Sequence, residues 1–213
     1  MNSLANIRIS RVEKLTRVEG PGLRYAIWVQ GCPIKCVGCF NPHTWDFNGG
    51  IDTDIDELYN DIKSIKLENN NLEGVTFLGG EPFSQAKQLS QLARKIRELN
   101  LSIVTFTGYE FENVKQSSNK YWHELLSNTD LLIDGPYKIE EHDLSRPWIG
   151  SKNQQYRFLT SKYKYLESEI LTIPNKLEIR IHSNGTITAN GMANLDDLHM
   201  LHDLGYKRME EAK

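Results

Sequence analysis

The chain has 213 residues, 39% of them hydrophobic and 25% charged, with a formal charge of −3. That is enough for one buried core, and it offers no electrostatic case for nucleic acid or an anionic membrane as a partner. No apolar run approaches the roughly 20 residues that span a bilayer, and residues 1–15 mix Asn, Arg, Glu and Lys with apolar residues, unlike a signal peptide. The expected location is therefore the cytoplasm.

Along the chain, residues 25–30, 75–78, 103–107 and 131–133 are rich in β-branched and aromatic side chains and read as buried strands. The last three are near-continuous apolar runs, as a parallel sheet covered on both faces requires. Between them, Ile55, Leu58, Tyr59, Ile62 and Ile65 recur at helical spacing, with Asp52 or Thr53 as the expected N-cap. A second helix carries Leu89, Leu92, Ala93, Ile96 and Leu99 behind a Ser84 cap, and a shorter one covers residues 121–126. Strand–helix–strand repetition predicts an α/β parallel sheet or partial barrel.

After Thr160 the pattern changes. Residues 177–182 and 186–189 flank Ser183-Asn184-Gly185, a hairpin signal. A final helix is expected behind Asn194, with Leu195, Leu198, Leu201 and Leu204 on one face and Gly205 as its stop. The expected division is a core over residues 1–160 and an extension over 161–213, packed against the sheet edge of the core.

All three cysteines fall within Gly31-Cys32-Pro33-Ile34-Lys35-Cys36-Val37-Gly38-Cys39, a C-x3-C-x2-C spacing. A disulfide scaffold would spread an even number of cysteines along the chain; three clustered thiols read as metal ligands. On one short loop they can grip three corners of a 4Fe–4S cluster, leaving the fourth iron open for substrate chemistry. The alternative is structural zinc, with His43 as a fourth ligand after Cys39. Downstream, the strand 75–78 runs into Gly79-Gly80-Glu81-Pro82. Two glycines let the backbone approach a ligand closely, and a carboxylate beside them can pair with an ammonium. The amino group of S-adenosylmethionine (SAM) suits Glu81 in that position.

The cysteine loop together with Gly79-Gly80-Glu81-Pro82 resembles the radical SAM superfamily. Glu19-Gly20-Pro21-Gly22-Leu23-Arg24, leading into Trp28-Val29-Gln30-Gly31-Cys32, is similar to the opening of glycyl-radical-enzyme activating proteins. Cys39-Phe40-Asn41, Thr44-Trp45, Thr107-Gly108-Tyr109 and residues 148–154 resemble the activating family of anaerobic ribonucleotide reductase. The resemblance implies a partial barrel that binds SAM across its strand ends, with a cluster on Cys32, Cys36 and Cys39. It implies recognition of the SAM amino group by Gly79, Gly80, Glu81 and Pro82, and contacts to its carboxylate and ribose from Thr107 and Asp134. Reductive cleavage of SAM would yield a 5′-deoxyadenosyl radical that abstracts hydrogen from a glycine of a glycyl-radical enzyme, or alternatively from another protein, a peptide or a small molecule, with a flavodoxin-type reductant as electron source. Pro136 and Ile149 occupy places where the family tends to carry lysine and arginine.

Overall fold

The computed structural model describes residues 6–192 except 182 and 186. Seven strands form one sheet in the order β3-β1-β2-β4-β5-β6-β7: β1 Asn6–Thr16, β2 Leu23–Val29, β3 Ile51–Asp54, β4 Leu72–Gly79, β5 Ser102–Phe106, β6 Leu131–Asp134 and β7 Gln155–Phe158. The central four, β2, β4, β5 and β6, are parallel. The flanking pairs β1–β2, β1–β3 and β6–β7 are antiparallel. Helices α1 (Ile55–Glu68), α2 (Ala86–Glu98), α3 (Phe111–Gln116) and α4 (Lys120–Asn128) lie between strands. The α/β partial-barrel architecture is as the strand–helix alternation predicts.

Each central strand is buried on both faces, and the alternation of side chains separates two cores. Tyr25, Ile27 and Val29 of β2, with Val75 and Phe77 of β4, pack against the helices in the larger core. Their neighbours Ala26, Trp28 and Leu78 face the other side, with Phe106 packed against them. Val104, Leu131 and Ile133 share that inner face with Ile149, Tyr163 and Leu166. The segment following Thr160 therefore contributes to the interior of the sheet's concave side.

The base of this inner face is polar. Arg24 is fully buried. Its guanidinium donates to Thr76 Oγ1 at 2.5 Å, Val75 O at 2.6 Å, Tyr163 OH at 2.9 Å and Pro21 O at 3.0 Å. Thr76 Oγ1 in turn donates to Glu19 O at 2.7 Å. One arginine thus binds β2, β4, the 19–22 turn and the Tyr163 segment, because five donors on a planar fork can meet several oxygens at once.

Local capping differs from expectation. Asp52 and Thr53 are taken into β3, paired with β1, and α1 is capped by Asp54, whose Oδ1 accepts from the N–H groups of Asp56 and Glu57. Ser84 does not cap α2. It lies in a 3-10 turn, Pro82–Gln85, whose cap is Glu81, and Gln85 leads into α2 with no side-chain cap bond. Gln85 instead bonds the backbone of Arg8 and Gln30, which explains why it is spent elsewhere.

Strand β1 was not expected. Between the pairs Ile9↔Val29 and Arg11↔Trp28 it holds one more residue than β2, a β-bulge. The bulge breaks the period of two in the sequence. It also turns Arg11 to the face of Trp28, where its guanidinium stacks 3.8 Å from the indole centroid.

The hairpin is present as β8 (Leu177–Ile181) and β9 (Ile187–Gly191), a separate two-stranded sheet. It does not extend the edge of the main sheet by backbone pairing. Its polar face docks on β1 and the turn that follows: Arg180 pairs with Glu13 and donates to Leu15 O, and Glu178 accepts from Arg17 N at 3.2 Å. The final helix expected behind Asn194 lies outside the described residues.

Truncating Arg24 to Ala removes a buried charged donor set and leaves a cavity. Unfolding stability is expected to fall by about 3 kcal/mol or more, lowering the melting temperature by roughly 6–12 °C. Arg24→Lys should restore only part of this, since an ammonium has three donors and no fork. A calorimetric scan of both variants checks the ranking.

Candidate functional site

Because β2, β4, β5 and β6 run parallel, their C-terminal ends meet at one edge of the sheet, the position where open α/β sheets bind ligands. The cysteine loop follows β2, Gly79-Gly80-Glu81-Pro82 ends β4, Thr107-Gly108 follows β5 and Gly135 follows β6. The first two are joined backbone to backbone: Gly80 N donates to Val29 O at 2.8 Å and Glu81 N to Gly31 O at 2.9 Å. A Cβ on Gly80 would lie 2.4 Å from Gly31 O, and Gly79, at φ +103°, has Trp28 Cα 2.7 Å from where its Cβ would be. Both positions require glycine for this approach.

Within the loop, Cys32 is buried and Cys36 and Cys39 are half-buried. Backbone N–H groups of Lys35 and Ile34 point at the Cys32 sulfur, and that of Tyr137 at the Cys36 sulfur. Asn41 N donates to Cys39 Sγ at 3.4 Å. Burial pushes the Cys32 and Cys36 thiols up, and those N–H groups pull the other way. Three soft sulfurs on one loop, each met by a backbone donor, fit a thiolate-bound iron–sulfur cluster. His43 is exposed on the 3-10 turn Pro42–Thr44. Among the described residues no group of three or more His, Cys, Asp or Glu side chains gathers around a point that a single metal ion could take.

Glu81 is 1% exposed. Its Oε1 accepts from Phe83 N and from Thr107 Oγ1, both at 2.9 Å, and its Oε2 accepts from Gly108 N at 2.8 Å. Burial pushes its pKa up to about 7, against the pull of those three donors. The carboxylate ties the end of β4 to the end of β5. Asp134, also buried, is engaged in a similar way. Its Oδ2 accepts from Phe111 N at 2.9 Å at the start of α3, and its Oδ1 meets Arg157 Nε at 2.8 Å.

Beside these turns lies a cavity of about 460 Å³. Gly79, Gly80, Thr107, Gly108, Gly135 and Tyr137 form its strand-end side, and Trp28, Leu78 and Phe106 its apolar wall. Of the residues singled out in the sequence, Gly79, Gly80 and Thr107 line it, while Cys32, Cys36, Cys39, Glu81, Pro82 and Asp134 do not; the cysteine loop reaches the cavity through the Phe40 and Asn41 that follow it. The opposite side is built from β1, the turn after it and the hairpin: Arg11, Val18, Glu19, Leu177, Ala189 and Asn190.

Arg11 and Glu19 are charged groups of the cavity that periodicity could not reveal. The bulge that aims Arg11 inward leaves no sequence signal, and Glu19 sits in the Gly-Pro-Gly turn. Burial pushes the pKa of Glu19 up to about 7, opposed by the charge of Arg11 and by Gly191 N, which donates to Glu19 Oε1 at 3.1 Å.

For both Glu19 and Glu81 the folded pKa lies above the ordinary value of 4.5. The folded chain then holds a proton that the unfolded chain has released, so stability falls as pH rises from about 4.5 to about 7 and levels off above that. The iron-free protein is expected to melt higher near pH 5 than near pH 7.5. Glu19→Gln, which keeps an acceptor for Gly191 N, should flatten part of this slope. Melting curves across that range test it; an unchanged slope would exclude Glu19 as a contributor.

Residues 18–157 match the family model of the 4Fe–4S single cluster domain. The chain is 34% identical over 146 residues to the anaerobic ribonucleoside-triphosphate reductase-activating protein of Enterobacteria phage T4, covering 65% of this chain and 85% of the phage protein. It is 35% identical over 125 residues to the pyruvate formate-lyase-activating enzyme of Staphylococcus epidermidis, covering 57% of this chain and 49% of that enzyme. The chain thus spans about half the length of the pyruvate formate-lyase-activating enzymes it matches. Among solved structures, QueE from Escherichia coli aligns with 48% of this chain and 52% of its own at 18% identity and a TM-score of 0.35. With its cysteine loop and glycine turn inside the matched span, the chain belongs to the 4Fe–4S single cluster domain family, a domain of the radical SAM type.

Proposed function

We propose that this protein cleaves SAM reductively and passes the resulting radical to a glycine of a partner enzyme. The observation that carries the reading is the meeting of the three-thiol loop and the glycine turn at one strand edge, beside a cavity large enough for a nucleoside-sized ligand. Cys32, Cys36 and Cys39 would hold a 4Fe–4S cluster, and Gly79 and Gly80 would offer their backbone to the SAM amino group. Held by those three thiolates, a 4Fe–4S cluster would supply the single electron needed to cleave the S–C5′ bond of SAM into methionine and a 5′-deoxyadenosyl radical. Hydrogen abstraction from a glycine Cα then gives 5′-deoxyadenosine and a glycyl radical. The electron comes from a one-electron donor of the flavodoxin type, in the cytoplasm.

This chain's residues shape the pocket around that chemistry. Glu81 keeps the Gly79–Gly80 turn and the Thr107–Gly108 turn at a set spacing, and Pro82 starts the 3-10 turn behind it. Thr107, whose hydroxyl donates to Glu81 Oε1, would have to turn that hydroxyl towards the cavity to serve the methionyl carboxylate. Asp134 acts on the ribose side by holding the start of α3 and Arg157, since its oxygens are already engaged. Residues 1–160 would form the catalytic core and 161–213 an extension, whose described part meets the core through Tyr163, Leu166 and the hairpin's contacts with β1. Coverage of 85% of the phage protein, against 49% of the pyruvate formate-lyase-activating enzyme, favours an anaerobic ribonucleotide reductase as the radical acceptor.

Single replacements of Cys32, Cys36 or Cys39 by Ala are expected to abolish the cluster and SAM cleavage, since the chain has no spare cysteine. His43→Ala should leave iron and sulfide content unchanged. Anaerobic reconstitution, iron and sulfide analysis and 5′-deoxyadenosine assay decide it. A full cluster in any cysteine variant would refute the ligand assignment, and metal loss in His43→Ala would favour zinc.

A further inference from the structure

The hairpin is attached to the rest of the protein in an unusual sense: its polar face points inward. Glu178, Arg180 and Asn190 meet Glu13 and the neighbouring backbone, whereas Ile179 is 45% and Ile181 77% exposed. None of the three hydrophobic clusters formed by described residues includes a residue of β8 or β9. Burial of apolar surface is therefore not what places β9 against the cavity; ion pairs and hydrogen bonds to β1 do.

Direction of the β9 backbone follows from its contacts. Gly191 N donates to Glu19 and not across the hairpin, while Met192 N turns back to Lys176 O on the β8 side. Peptide groups alternate along a strand, so Asn190 faces β8, and the N–H and C=O of Ala189 point to the same side as Gly191 N. Glu19, which receives Gly191 N, lines the cavity, and so do Ala189, Asn190 and Gly191. Among the described residues β9 has a strand neighbour on one side only. Its second edge thus opens into the cavity, across from the Gly79, Gly80 and Thr107 turns.

We propose that this edge of β9 is the docking site for the radical acceptor. An extended segment of the partner polypeptide adds there as a third strand of the hairpin, reading the peptide groups of Ala189 and its neighbours. The inference rests on the function proposed above and deepens it: the substrate is an extended backbone, not a small molecule. Strand addition suits an acceptor whose reactive atom is a glycine Cα, because backbone hydrogen bonds position the chain without needing a side chain at that residue.

Ala189→Pro removes the N–H that faces the cavity and leaves the hydrogen bonds of Asn190 and Thr188 towards β8 in place. Ala189→Ser, which keeps the N–H, is its control. Both are assayed after anaerobic reconstitution, with anaerobic ribonucleoside-triphosphate reductase and pyruvate formate-lyase offered separately as acceptors. The readout is glycyl radical formed, by electron paramagnetic resonance, per 5′-deoxyadenosine released. This ratio is expected to fall at least fivefold in Ala189→Pro and by a clearly smaller factor in Ala189→Ser, which keeps the N–H. An unchanged ratio in Ala189→Pro overturns the assignment, as does a raised one, which would mean that the chain's own residues after Met192 occupy the edge. Hydrogen exchange of the unmutated protein covers the case of a misfolded variant: amides of residues 187–191 should exchange more slowly with the acceptor present, and no slowing overturns the proposal. If the unmutated protein transfers a radical to neither acceptor, the functional reading falls and this assignment with it. Transfer by the unmutated protein at an equal ratio in Ala189→Pro removes the β9 assignment alone.

Discussion

A single buried carboxylate, that of Glu81, accepts hydrogen bonds from its own turn and from the turn after the next strand, and the geometry of the site follows from it. The ends of parallel strands have no partner of their own; their last peptide groups must be satisfied by something that crosses between them. Glu81 does so from within the Gly-Gly-Glu-Pro turn, while its backbone N–H reaches the first residue of the cysteine loop. Three consecutive strand ends are thereby held at one spacing, with glycine wherever a Cβ would strike a neighbour. The desolvation that this burial costs raises the carboxyl pKa, and the three donors limit the rise.

Opposite that rim the cavity is closed by elements of another kind. A bulge in β1 turns Arg11 onto Trp28, and the Gly-Pro-Gly turn sets Glu19 beside it. Both come from the stretch before the cysteine loop, yet they end on the far side from it, because β1 runs antiparallel to β2. The hairpin is held to this stretch by Arg180, Glu178 and Gly191. These are partly buried contacts, with the Arg180 side chain 34% and that of Glu13 13% exposed, made by side chains and not by strand pairing with the main sheet. At the base, Arg24 connects the two sides through Thr76 and Glu19.

In the sequence, the central strands and the helices between them were legible because their apolar runs and helical spacing are set by burial on both faces. The cysteine loop and the Gly-Gly-Glu-Pro turn were legible too, since ligand chemistry and close backbone approach demand particular residue types within a few positions. Capping was less so. Asp54 and Glu81 took the caps expected of Asp52, Thr53 and Ser84, because strand pairing of β3 and the 3-10 turn moved the helix starts. Strand β1 carries no such signal, because the bulge interrupts its period of two.

The sequence by itself determined that three cysteines share one short loop with a glycine turn downstream, and that a mostly parallel sheet would bring their strand ends together, because those properties depend on residue type and local spacing. Only the tertiary structure decided where the carboxylates point. Glu81 and Asp134 bind strand ends, while Arg11, Glu19 and β9 face the cavity. Those roles arise from contacts between residues as far apart as Glu19 and Gly191. No local pattern encodes them, since a side chain's partner across the fold is set by register and bulges and not by its neighbours in the chain.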